Sequence, residues 1–228
     1  FYNNLYAHPF LGCAFSFYLF HHLINVISPP DATGCLELWR NTTKINNYAF
    51  RDCNNLTSIE IPESITSIGY AAFSGCNLTS VNIPDSVTSI GDVAFYNTPW
   101  LATKQAENPL VIVNNILIDG TTCTGDVIIP STVNYKSRDL AVIAIGDSAF
   151  SGCNELTNII IPNTIVTIEK DAFSGCNNLT NITIPNSVVS IGQSAFDSCT
   201  SLKELRLEDG DIDLDWGPES LDEGVLYE

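Results

Sequence analysis

The chain is predicted to fold as a repeat solenoid, mainly β with short helical or 3-10 turns, and three sequence observations carry that expectation. From Lys44 on, an Ala-Phe pair recurs six times, with phenylalanines at Phe50, Phe73, Phe95, Phe150, Phe173 and Phe196, separated by 23, 22, 55, 23 and 23 residues. Self-similarity at such a period marks a stack of supersecondary units, each burying its apolar side only against its neighbours. After four of the six pairs comes an alternating apolar segment closed by proline, such as Leu56-Thr57-Ser58-Ile59-Glu60-Ile61-Pro62 or Leu179-Thr180-Asn181-Ile182-Thr183-Ile184-Pro185. A second short apolar segment, such as Val87-Thr88-Ser89-Ile90-Gly91, then leads into the next pair or towards it.

Taken in order, residues 1–43 read as an N-terminal cap or unplaced apolar segment. Pro9 to Ser28 is long enough to cross a bilayer, but it holds His21, His22 and Asn25, and no Lys or Arg precedes Arg40. A secretory leader would need a basic start, and the chain opens on Phe1. The expectation is an apolar cap or degenerate first coil, with a truncated export or membrane segment second.

Residues 44–210 read as the solenoid. In each first segment the β-branched alternation predicts a short strand with Ile59 and Ile61 inward and Ser58 and Glu60 outward. Proline removes a ladder donor and ends the strand at the same place in every coil. The second segment predicts another short strand running into the Ala-Phe bend, where a helical or 3-10 turn is expected. Residues 97–144 break the pattern as an irregular coil. The Phe95 to Phe150 gap exceeds two 23-residue periods by 9 residues, placed at Asn134 to Val142 and read as a surface loop. Residues 211–228 form an acidic C-terminal segment, read as a truncated further repeat of a longer protein.

The pattern Ile-Gly-x-x-Ala-Phe-x-x-Cys-x-x-Leu-Thr-x-Ile-x-Ile-Pro-x-Ser-Val-Thr-Ser resembles the BspA-type leucine-rich repeat of bacterial cell-surface proteins, from about Lys44 to Gly210. Asn97 to Pro130 resembles the irregular coil interspersed in bacterial members. The resemblance implies a right-handed stack of coils of about 23 residues. It also implies a surface or secreted role, although stacking residues define a fold and not a function.

Composition narrows the function classes. With 26 acidic against 9 basic residues the formal net charge is −17, which disfavours duplex nucleic acid and anionic membrane surfaces as partners. No membrane insertion by the repeat region is expected. Asp209 to Gly217 carries alternating aspartates, but a calcium loop starting at Asp211 would need Gly and Glu where Trp216 and Asp222 stand, so a solvated edge strand is the better reading. His8, His21 and His22 all precede the repeats, so no catalytic residue, metal site or cofactor is predicted.

Five of eight cysteines, Cys53, Cys76, Cys153, Cys176 and Cys199, stand three residues after a phenylalanine. They are expected to form a reduced, metal-free packing ladder; Cys13, Cys35 and Cys123 lie outside it. The glycosylation-like triplets at Asn41, Asn55, Asn77, Asn178 and Asn181 are read as turn residues bonding the backbone.

The candidate binding face consists of the outward strand positions Ser58, Glu60, Ser80, Asn82, Asn158, Ile160, Asn181, Thr183, Glu204 and Arg206. A non-enzymatic recognition or adhesion module binding an extracellular protein, such as host matrix, is the leading expectation. Carbohydrate binding comes second, weakened because those positions hold no aromatic ring and Trp39, Trp100 and Trp216 fall outside the regular strands. A passive spacer of a larger surface or cellulosome-type protein is third.

Overall fold

The computed structural model describes residues 35–37, 43–135, 137–208, 215–216 and 226–227, and the chain divides between Ala106 and Glu107 into two compact units. The N-terminal apolar segment, all three histidines and the central aspartates of the acidic end lie outside the described residues.

In the first unit the alternation of β-branched and polar residues produces two parallel rows of very short strands. Cys35–Glu37, Ser58–Glu60 and Ser80–Asn82 form one row, with Glu37, Glu60 and Asn82 in register. Lys44–Ile45, Ser67–Ile68 and Ser89–Ile90 form the other. The row of first strands therefore extends into the segment read as a cap, with Cys35–Glu37 its first member among the described residues. Ile59, Ile61 and Ile68 are buried while Glu60 is exposed, as the period of two requires. The strand ends before proline, whose carbonyl accepts a turn bond from three residues on, as in Ile65 N to Pro62 O at 3.0 Å.

The Ala-Phe bends differ from a helical turn. Bonds three residues apart close them, such as Ala49 N to Asn46 O and Cys53 N to Phe50 O. Left-handed residues flank every phenylalanine: Tyr48, Ala71 and Val93 two before it, and Asp52, Gly75 and Asn97 two after. A single left-handed residue cannot propagate a right-handed helix, so each turn stops after one bond. The freed N–H groups reach the next coil instead, as in Phe50 N to Ala72 O at 2.7 Å and Phe73 N to Ala94 O at 2.8 Å. These bonds offset the strain of non-glycine residues at positive φ.

The phenylalanines stack inside these bends. Phe50 and Phe73 have centroids 5.2 Å apart, Phe73 and Phe95 5.4 Å, with planes within 10°. Trp100 closes that end of the stack, tilted 52° against Phe95 at 4.7 Å. It is carried by the helix Pro99–Glu107, whose start is fixed by Thr98: its hydroxyl donates to Phe95 O and accepts from Leu101 N.

The second unit repeats the plan. Gly125–Ile128, Leu156–Ile160, Asn181–Ile184, Glu204–Leu207 and Leu226–Tyr227 make its first row. Ile116–Asp119, Ala144–Ile145, Thr167–Ile168, Ser190–Ile191 and Asp215–Trp216 make the second, flanked by Val111–Val113 running antiparallel. Trp216 thus lies on a strand aligned with Ile191, as the edge-strand reading of the acidic end expects, although its sequence context also sets it outside the regular strands of the repeat. The nine-residue excess forms a hairpin, Thr132–Tyr135 against Arg138–Ala141, because antiparallel pairing satisfies the extra backbone within the insertion itself. Phe150, Phe173 and Phe196 stack at 5.1 and 5.4 Å. At the open side of Phe150 the place of a further ring is taken by Gly120, where an added Cβ would lie 2.2 Å from the Phe150 ring.

The cysteine ladder is more than packing. Three thiols donate to the carbonyl of the phenylalanine one coil back: Cys76 to Phe50 O at 2.8 Å, Cys176 to Phe150 O at 3.1 Å, Cys199 to Phe173 O at 3.1 Å. Cys153 donates to Cys123 O at 3.2 Å in the irregular coil. Cys53 departs from the expectation of a wholly reduced ladder, because it is disulfide-bonded, to a cysteine outside the described side chains.

Candidate functional site

The strand alternation that buries isoleucine turns every predicted face residue outward, and parallel pairing sets them in columns within each unit. In the first unit Ser58 pairs with Ser80 and Glu60 with Asn82. In the second, Asp126, Asn158, Asn181 and Glu204 occupy equivalent places along one column. Ile128, Ile160, Thr183 and Arg206 occupy the next. Neighbouring residues of a column are about 4.8 Å apart, the strand spacing.

The face is chemically mild. Glu60, Asn82, Asn158, Asn181, Thr183 and Arg206 are exposed, while Ser58 and Glu204 are half-buried. Arg206 Nη2 donates to Glu204 Oε1 at 2.8 Å, so the basic and acidic groups at that edge neutralise each other. Asn158, Ile160, Asn181, Thr183 and Glu208 line one shallow, open depression of about 290 Å³. The sequence reading missed Ile128, which is 67 % exposed and sits directly beside Ile160 at 53 %, making an apolar step in an otherwise polar column. Its signal was present, since Asp126-Val127-Ile128-Ile129-Pro130 keeps the strand-proline pattern inside the irregular coil.

The second strand row differs between units. Thr43, Thr66 and Thr88 stand before the strands of the first, bonded coil to coil by backbone and hydroxyl. Ile143, Val166 and Val189 take those places in the second, at 37, 39 and 57 % exposure. Outside both rows the first unit also exposes Tyr48, Tyr70 and Tyr96 on its bends. Tyr48 and Tyr70 meet edge to face at 5.1 Å, with the Arg51 guanidinium 5.6 Å from the Tyr48 centroid.

Two of the glycosylation-like asparagines bond the backbone, across coils and not within their own turn: Asn77 Nδ2 donates to Asn54 O at 2.6 Å and Asn178 Nδ2 to Asn154 O at 2.7 Å, whereas Asn181 Nδ2 donates to the Thr180 hydroxyl at 3.1 Å and Asn41 lies outside the described residues. Burial pushes the Cys76 thiol up to about 12 and that of Cys123 to about 11, which suits hydrogen-bond donors and not nucleophiles. Among the described residues no group of three or more His, Cys, Asp or Glu is placed to hold a metal ion, and no helix is long and apolar enough to cross a membrane.

Comparison with known proteins agrees with this architecture. The family model described as BspA type leucine rich repeat region matches residues 35–140 and 137–213 in six copies. No curated protein matches the chain. Among solved structures, the chain is similar to a leucine-rich repeat protein of Bacteroides ovatus, 25 % identical over 79 % of this chain and 45 % of that one, with a TM-score of 0.43. It is similar to a leucine rich cell surface protein of Faecalibacterium prausnitzii, 26 % identical over 78 % and 51 %, TM-score 0.36. It is also similar to the pneumococcal vaccine antigen PcpA, 21 % identical over 78 % and 58 %, TM-score 0.39. The chain spans roughly half the length of these proteins, between 45 and 58 %.

Proposed function

Because the chain belongs to the BspA type leucine rich repeat family, we propose that it is a non-enzymatic recognition module outside the cell, adhering to a protein ligand through its first-strand faces. The observation that carries this reading is the in-register arrangement of outward side chains. A ligand meets a row of hydroxyl, amide and carboxylate groups at regular spacing. Each coil offers only two such side chains, so affinity is summed over coils and no single residue acts as a large hot spot. The disulfide at Cys53 supports an oxidising compartment. The buried thiols are no obstacle there, being shielded from exchange.

The test is surface-immobilised binding to fibronectin, fibrinogen, laminin and collagen. The double variant Glu60→Lys with Glu204→Lys is compared with Asp147→Lys with Asp171→Lys on the Ala-Phe bends. Reversal on the strand faces is expected to change the on-rate and its salt dependence more than the off-rate, because exposed rim charges steer encounter. Equal binding by wild type and both variants, or loss confined to the bend variant, removes the strand faces and leaves the hairpin at Thr132–Ala141 as the next surface to test.

A further inference from the structure

At a corner of the first unit, away from the outward strand positions, the chain forms a second recess, of about 560 Å³. Tyr96, 62 % exposed, supplies an aromatic wall, and Gln105 of the helix Pro99–Glu107 lines another side. Asn54, Asn77 and Asn97 add three amides, and Gly75 at φ 74 lines it without a side chain. None of the described residues lining it carries a formal charge, in a chain of net charge −17.

The equivalent corner of the second unit shows what is unusual here. There Asn177 Nδ2 donates to Asn154 Oδ1 at 2.9 Å, and the Thr200 hydroxyl donates to Asn177 Oδ1 at 3.2 Å, so the amides satisfy one another. In the first unit the residue four after the last phenylalanine is Pro99, which has no donor to offer where Thr200 has one. The first unit also has one asparagine between Cys76 and Leu78 where the second has Asn177 and Asn178, so Asn77 Nδ2 makes the backbone bond to Asn54 O that Asn178 makes to Asn154 O, and no second amide is left to pair with the Asn54 side chain. Asn77 Oδ1 and the entire Asn54 side-chain amide make no hydrogen bond among the described residues.

An exposed ring beside open amides, without charge, matches one ligand chemistry well. The C–H face of a pyranose packs on an aromatic ring. Its adjacent hydroxyls each donate and accept, as does a primary amide. The recess volume falls within the usual range for small-molecule sites. We propose that this corner binds a neutral oligosaccharide, with Tyr96 stacking on a sugar ring and Asn54 and Asn77 bonding its vicinal hydroxyls. Acidic glycans are disfavoured by the net charge of the chain and by the absence of a cation in the lining.

The intact chain is tested on a microarray of neutral, sialylated and sulfated glycans, and the strongest neutral hit is titrated calorimetrically beside an uncharged, end-capped peptide. Tyr96→Ala is expected to weaken binding about tenfold or more, the scale of one lost stacking contact. Asn54→Ala removes a side chain that makes no hydrogen bond among the described residues, and its melting temperature, expected to match the wild type, separates loss of binding from loss of fold. Tyr48→Ala, an exposed ring outside the recess, leaves binding unchanged. So does the paired reversal at Glu60 and Glu204, which separates this site from the strand faces. The proposal is overturned if no neutral glycan binds, if only charged glycans or only the peptide bind, or if binding survives Tyr96→Ala.

Discussion

Replacing Phe173 with alanine probes the central physical claim, that the stacked rings set the inside of the second unit. Phe173 is fully buried, with Phe150 at 5.1 Å on one side and Phe196 at 5.4 Å on the other. Truncating a buried phenylalanine costs about 3 to 5 kcal/mol through lost transfer energy and the cavity left behind. Two aromatic contacts add roughly 0.5 to 1.5 kcal/mol each, which places this position at the upper end of that range. Urea unfolding followed by far-ultraviolet circular dichroism reads the change. With a slope of about 2 kcal/mol per molar urea, a loss of 4 kcal/mol moves the midpoint by about 2 M. Phe173→Leu keeps most of the volume and supplies a milder measurement if the alanine variant does not fold. A loss below about 1 kcal/mol for Phe173→Ala, well under any buried-ring value, refutes the stack as the organiser of the core.

The thiol ladder makes stability depend on alkaline pH. Burial raises Cys76 from 9.0 to about 12, so the unfolded thiol ionises first; its contribution is complete below about pH 9 and fades as pH climbs towards 12. Cys76→Ala should flatten that decline in denaturation curves, and an unchanged slope would discard the thiol as its source. Iodoacetamide without reductant should label Cys76 and Cys176 only after unfolding and leave Cys53 blocked in either state, as read by mass spectrometry; labelling of native Cys176 would contradict its burial. Gly120→Ala forces a methyl into the Phe150 ring, at a cost of about 1 to 3 kcal/mol. A melting temperature equal to that of the wild type would show that Gly120 does not seat the ring.

Much of the fold is legible in the chain because its stabilising contacts recur at a fixed sequence distance. Ile59, Pro62 and Phe73 recur one period on as Val81, Pro84 and Phe95, so alternation and spacing determine strand, stop and stack before any coordinate is known. The outward positions Asn181 and Thr183 follow from the same period of two. The bends were less legible. Val93 and Ser148 carry positive φ although nothing in their side chains favours it, because bonds to the neighbouring coil hold the backbone there. The cysteine spacing likewise marked a ladder but not its direction; that Cys176 donates to Phe150 O, or that Cys53 leaves the series for a disulfide, depends on which carbonyl stacking brings within reach. The corner beside Tyr96 was decided by tertiary structure alone. Asn54 and Asn77 read in sequence as ordinary turn residues, and only the way the coils stack before the helix at Pro99 leaves the Asn54 amide and Asn77 Oδ1 without a hydrogen bond among the described residues. Periodic burial is written locally, residue by residue, whereas the state of a polar group is fixed by whatever the fold places opposite it.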